Sequence, residues 1–209
     1  MANHECSVNI THIGERLLAA LLNDKTNGVM QTIAGSKDYT AVPEAEFGEP
    51  KETQRRFDGL HKIDVLLVPD SSEEKAVPIE LKLGKSRMEA TQSGFGRFLT
   101  GYKLNEKTQK FSGSMISILG RVQSEENEKN EKNAIRYPLM YGETEIKEEW
   151  ILIVLTDTIK KELKDCCLWK GIEPAVFSFK ELFGGQKTLV QKTTEKLVCC
   201  DSYYDAWIN

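Results

Sequence analysis

Two strand-sized apolar runs, Ile63 to Val68 (IDVLLV) and Ala76 to Leu83 (AVPIELKL), flank a short polar segment, Pro69 to Lys75 (PDSSEEK). Turn residues between two such runs predict an antiparallel hairpin. Charges interrupt both runs: Asp64 in the first, Glu80 and Lys82 in the second. Side chains alternate along a strand, so Glu80 and Lys82 share one face while Ile79, Leu81 and Leu83 share the other. A turn centred near Ser72 puts Asp64 opposite Glu80, each eight residues from the centre. Directly opposed residues bring their Cβ atoms to roughly 4.5–5.5 Å.

Glu-x-Lys by itself is common in this chain. It occurs five times, beginning at Glu49, Glu73, Glu80, Glu145 and Glu162, and only Glu80-Leu81-Lys82 falls inside an apolar strand. One reading of the hairpin is a solvated salt-bridge strip on an outer face. The density of Val65, Leu66, Leu67, Val68, Val77, Ile79, Leu81 and Leu83 favours a central pair of strands instead, where acidic groups are costly unless they have a task. Two close carboxylates repel each other and invite a divalent cation or a raised pKa. Hard oxygen ligands in this number suit Mg²⁺ or Mn²⁺, with water and substrate phosphate completing the shell. Lys82 then stands on the same face as a point charge able to orient or activate water or to steady a phosphate oxygen.

The surrounding pattern is alternately helical and extended. Asn9 to Asn23 spaces Ile10, Ile13, Leu17, Leu18 and Leu21 for a helix, with Thr11 as its predicted N-cap. Val29 to Phe47 predicts one or two short strands. Arg87 to Leu104 is compatible with a glycine-interrupted helix, and Met115 to Leu119 suits either a strand or a short helix. Ser124 to Glu149 carries eight acidic against four basic residues and predicts an exposed acidic loop or insertion. Trp150 to Leu155 predicts a strand, Thr158 to Trp169 a helix and Ala175 to Phe179 another strand. This order gives an α/β sheet with helices on its faces. The 209 residues suffice for one core rather than two full domains, so 1–209 reads as a single domain.

At this point the residues resemble the PD-(D/E)XK nuclease superfamily, whose fold is restriction-endonuclease-like. The resemblance implies an α/β core with a central mixed sheet flanked by helices, in the order helix, three strands, helix, strand. Asp64 matches the Asp beginning the second strand, and Glu80-Leu81-Lys82 matches the Glu-x-Lys of the third. It further implies that Asp64 and Glu80 bind metal, that Lys82 positions or activates water, and that Glu15, on the first helix, assists. The match runs in order from about Ile10 to Leu104, with Trp150 to Leu155 as the fourth core strand. Ile63 precedes the Asp where the family name has Pro. Gln92 is followed four residues later by Gly96 rather than the Tyr of exonuclease-like branches, so exonuclease membership is not implied.

The expected activity is therefore Mg²⁺-dependent (or Mn²⁺-dependent) hydrolysis of phosphodiester bonds, with DNA as the partner and endonucleolytic cleavage. The alternatives are a catalytically silent binding or interaction module on the same fold, and an RNA-directed nuclease. The formal net charge of −4 excludes a uniformly basic coating protein but not a basic face. Residues 81–110 hold seven Lys/Arg against two Glu. Lys85, Arg87, Gln92 and Arg97 are the expected nucleic-acid contacts there, with Arg55 and Arg56 in a second patch. Symmetric cutting of both strands would favour a homodimer. No apolar run has membrane-spanning length and no leader pattern is visible, so a soluble cytoplasmic protein without a membrane partner is expected. Five cysteines without a CxxC and three scattered histidines argue against zinc or an iron–sulfur cluster.

Overall fold

The computed structural model describes residues 2–47, 61–83, 97–105, 110–117, 134–166 and 173–200. Its centre is a five-stranded mixed sheet in the order β1-β2-β3-β9-β10. Strands β1 (Tyr39–Phe47), β2 (His61–Pro69) and β3 (Val77–Lys82) form an antiparallel meander, and β3 pairs in parallel with β9 (Ile151–Val154), which pairs in parallel with β10 (Ala175–Ser178). Parallel neighbours need a crossover connection. Between β9 and β10 the chain passes through α3 (Asp157–Cys166).

The sheet is buried on both faces, which accounts for the unbroken apolar run in β9, where all four residues are buried. One face packs Leu18, Leu21 and Leu22 of α1 (Ala2–Asn23), and Met30 of α2 (Val29–Ala34), against Val65, Leu67, Ile79, Leu81 and Ile153. The short helix α4 (Phe179–Phe183) and α5 (Lys187–Cys200) complete this layer, with Phe183 buried and Leu189 and Val190 packed against the cluster. The other face gathers Ile63, Leu66, Trp150, Leu152, Val154 and Val176 under Ile159 and Leu163 of α3. Among the described residues no helix is long and apolar enough to cross a membrane.

Between β3 and β9 lies a second, three-stranded antiparallel sheet in the order β5-β4-β6, made of β4 (Arg97–Asn105), β5 (Lys110–Ser117) and β6 (Ala134–Tyr137). The two-residue strands β7 (Met140–Tyr141) and β8 (Thr144–Glu145) follow as a small ribbon.

Three expectations are corrected here. The helix expected over Arg87 to Leu104 is a strand from Arg97 onward, and its earlier part lies outside the described residues. The exposed loop expected over Ser124 to Glu149 is structured from Ala134, and Leu139 and Ile146 are buried in the second core cluster. Finally, Thr11 is not an N-cap, because α1 runs through it from Ala2. Helices α2, α4 and α5 were not anticipated; α4 carries a capping box, with Ser178 accepting from the Glu181 N–H and Glu181 returning a bond from the Ser178 N–H.

Candidate functional site

Strands β2 and β3 pair as Leu67↔Val77, Leu66↔Pro78 and Val65↔Ile79. Continuing that register by one step places Asp64 opposite Glu80, as the hairpin arithmetic predicts. The main-chain ladder stops at Val65 and Ile79, and the Asp64 carboxylate takes over: the Leu81 N–H donates to Asp64 Oδ2 at 2.7 Å. Asp64 is thus fixed by a hydrogen bond from the backbone of the neighbouring Glu-x-Lys segment. On the far side of β3, Glu80 pairs with Leu152 and Lys82 with Val154 of β9, so both charges sit on a strand flanked on each side.

Glu80 and Lys82 form an ion pair along one face of β3, and their side chains are only 13% and 11% exposed. Burial pushes the Glu80 carboxyl up to about 7, the nearby Asp64 charge adds to this, and Lys82 opposes it.

The first helix completes the cluster. Glu15 is 5% exposed, an unusual position for a carboxylate between the apolar neighbours of an amphipathic helix. Its carboxyl is pushed up to about 8, first by burial and then by repulsion from Asp64, Glu44 and Glu80, with Lys62 opposing. Gly14 lets α1 approach β3 this closely: a Cβ there would meet Leu83 Cδ1 at 2.4 Å and Leu81 Cδ2 at 3.5 Å.

Glu44 and its surroundings were not anticipated from the sequence. The β1–β2 register, Pro43↔Val65 and Ala45↔Ile63, puts Glu44 opposite Asp64. Its φ of 50° lies in the left-handed region, where among the described residues it is the sole non-glycine. The alternation of faces reverses there: Ala41 and Val65 belong to one core cluster, Ala45 and Ile63 to the other. A positive φ within a strand re-aims the chain in this way. Arg16 Nε lies 3.6 Å from Glu44 Oε2, and Lys62 Nζ lies 3.7 Å from Glu46 Oε1. No pattern in the sequence marks Glu44, because its place depends on the pairing of β1 with β2.

Four acidic residues from α1, β1, β2 and β3 therefore gather at one end of the central sheet. Among the described residues no group of three or more His, Cys, Asp or Glu side chains is arranged to hold a metal ion. Asp64 and Glu80 form a smaller, two-carboxylate set. That set fits Mg²⁺, which is held through one or two carboxylates plus water and substrate phosphate. The upward shift of Glu80 comes first from burial and then from the Asp64 charge, both of which a bound cation would oppose. Asp64, Glu80, Lys82 and Glu15 are thus brought together. Arg97 begins β4, while Arg55, Arg56, Lys85, Arg87 and Gln92 lie outside the described residues. No protein-family model, curated protein or solved structure matches this chain.

Proposed function

We propose that this chain is a Mg²⁺- or Mn²⁺-dependent phosphodiesterase that cleaves DNA endonucleolytically, on a core of the PD-(D/E)XK, restriction-endonuclease-like kind. The observation that carries the reading is the meeting of Asp64, Glu80 and Lys82 in the central strands, with the Asp64 carboxylate tied to the Leu81 N–H. The supporting frame is a helix bearing Glu15, a three-strand meander and a parallel fourth strand. It departs from that core where strand β4 stands in the span expected to be helical.

In this reading Asp64 and Glu80 hold the cation. When bound, a divalent ion polarises a phosphoryl oxygen and stabilises the charge that develops at phosphorus. Lys82 positions a water in line with the leaving oxygen and steadies a non-bridging oxygen. The water oxygen forms the new bond to phosphorus as the bond to the leaving oxygen breaks; the attacking water gives up its proton to solvent, and the leaving oxygen takes one from solvent. Glu15 closes the helix side of the site and holds the water from there. Asp64 also keeps β3 in register, so one residue serves both position and binding.

Supercoiled plasmid and branched DNA incubated with the protein provide the test. Cleavage is expected with Mg²⁺ and absent in chelator. Asp64→Asn and Lys82→Ala should each lower the rate by on the order of a hundredfold or more. Cleavage that survives both substitutions overturns the proposal, as does metal-independent binding with no product. Faster cutting of matched RNA would overturn the choice of DNA.

A further inference from the structure

Between α4 and α5 lies an open hollow of about 290 Å³ that shares no residue with the Asp64, Glu80, Lys82 and Glu15 cluster. Phe179 and Phe183 wall it with their ring centroids 4.8 Å apart, and Val190 lines it from α5. Lys180 and Lys187, both exposed, border the same hollow, and the exposed Lys192 follows one turn further along α5. Its chemistry is therefore an apolar lining with ammonium groups beside it. Glu181, next to Lys180 in the chain, is engaged by Lys160 at 2.6 Å. Among the described residues no carboxylate forms an ion pair with Lys180, Lys187 or Lys192. A cavity of about 150 Å³ lined by aliphatic and aromatic side chains holds a benzene ring, so this one has room for an indole.

The occupant that fits is in the chain itself. Residues 201–209, DSYYDAWIN, continue directly from α5 and lie outside the described residues. They carry Tyr203, Tyr204, Trp207 and Ile208, together with Asp201 and Asp205 and no Lys or Arg. The hollow and its lysines offer the converse of both properties. Reach agrees. Val190 stands ten residues before Cys200, about 15 Å along the helix at 1.5 Å per residue. Trp207 stands seven residues beyond Cys200. With two of those spent on reversing direction, five extended residues span about 16 Å at roughly 3.3 Å each. The indole then comes level with Val190. A short tether also holds its end at an effective concentration in the roughly millimolar range, which favours this segment over a second copy of the chain.

We propose that residues 203–208 fold back along α5 and seat Trp207 in the hollow between α4 and α5, with Asp201 and Asp205 answering the lysines of α5. The segment acts as a strap over the helical layer, closing an apolar surface that α4 and α5 leave open. Nothing in this inference depends on the nuclease reading, since no residue of the Asp64 cluster takes part.

Acrylamide quenching of tryptophan fluorescence in the full chain tests this, with the Trp207 contribution taken as the difference between the unaltered protein and Trp207→Phe. Trp207 should be quenched several-fold less efficiently than free N-acetyltryptophanamide. Val190→Asp, which puts a charge into the hollow, should bring its quenching close to that of the free amide. The surface pair Lys187→Glu, Lys192→Glu should do the same without touching the core, and adding Asp201→Lys and Asp205→Lys to that pair should restore the protection. Trp207 quenched as readily as the free amide in the unaltered protein overturns the proposal. Protection that neither Val190→Asp nor the lysine pair disturbs overturns it too, because the indole then sits elsewhere. Protection that grows with protein concentration makes a second copy the occupant and overturns the intramolecular strap.

Discussion

Glu15 is the residue whose environment departs furthest from what its type prefers. A carboxylate that is 5% exposed beside three other acids is held in its neutral form, and the carboxyl is raised from 4.5 to about 8. The linkage follows from that direction. The folded state keeps a proton on Glu15 that the unfolded state releases above about pH 4.5, so metal-free stability falls as pH rises from there and levels off above about 8. Glu15→Gln removes the penalty. In chelator, its unfolding free energy should match that of the unaltered protein near pH 4.5 and exceed it by on the order of a few kcal/mol above pH 8. Denaturant unfolding across that range measures the difference, and parallel profiles for the two proteins would show that Glu15 is not strained by its surroundings. A buried acid that destabilises the fold is hard to account for by packing alone. The helical pattern from Asn9 to Asn23 showed in the sequence that Glu15 lies between Ile13 and Leu17, but not that α1 sits low enough over β3 to enclose it. That depends on Gly14 and on Leu83 beneath it.

At the scale of elements, the hairpin β2–β3 was the most legible part of the chain. Its turn residues and apolar runs defined the register, and the observed pairs obey it. The sequence could not reveal where the ladder ends and the Asp64 side chain begins to act as acceptor for Leu81. That division predicts a contrast between two substitutions. Asp64→Asn keeps an oxygen for the Leu81 N–H and removes a charge that repels Glu15 and Glu80, so in chelator it should be at least as stable as the unaltered protein. Asp64→Ala leaves a buried donor without that acceptor and should lose about 1–3 kcal/mol. Urea titration separates them, and equal stabilities would sink the structural half of Asp64's role. Strand β4 shows the opposite case. A register shift between Leu99 and Gly101 puts Leu99, Tyr102 and Leu104 on one face, so the first two stand three residues apart as they would on a helix. The bulge thus puts two residues of one strand face three apart, a spacing that a helix shares, so periodicity in this stretch could not separate the two. Ribbons of two residues, such as β7 and β8, carry no period at all, which is why acidic composition alone decided the reading of that stretch.

Across the whole molecule, a net charge of −4 describes no single region. Acidic residues converge at one end of the central sheet, and the inserted sheet has none in its strands. The fold gathers like charge at the acidic end, and the mutual repulsion there costs stability. A bound cation at the acidic end would add to the relief that Lys82 gives Glu80 and that Lys62 gives Glu15. A ligand that binds only the folded state adds RT ln(1 + [L]/Kd), about 2.7 kcal/mol at a hundred times Kd. Titration with Mg²⁺ or Mn²⁺ should therefore raise the melting temperature of the unaltered protein and leave Asp64→Asn nearly unmoved. The gain should grow with pH, because the metal competes with protons for Glu80, whose carboxyl is raised to about 7. A rise shared equally by both proteins would assign the effect to general ionic screening. A flat response in both would leave the four converging acids as a structural burden with no cation to relieve it, and the nuclease reading would lose its metal.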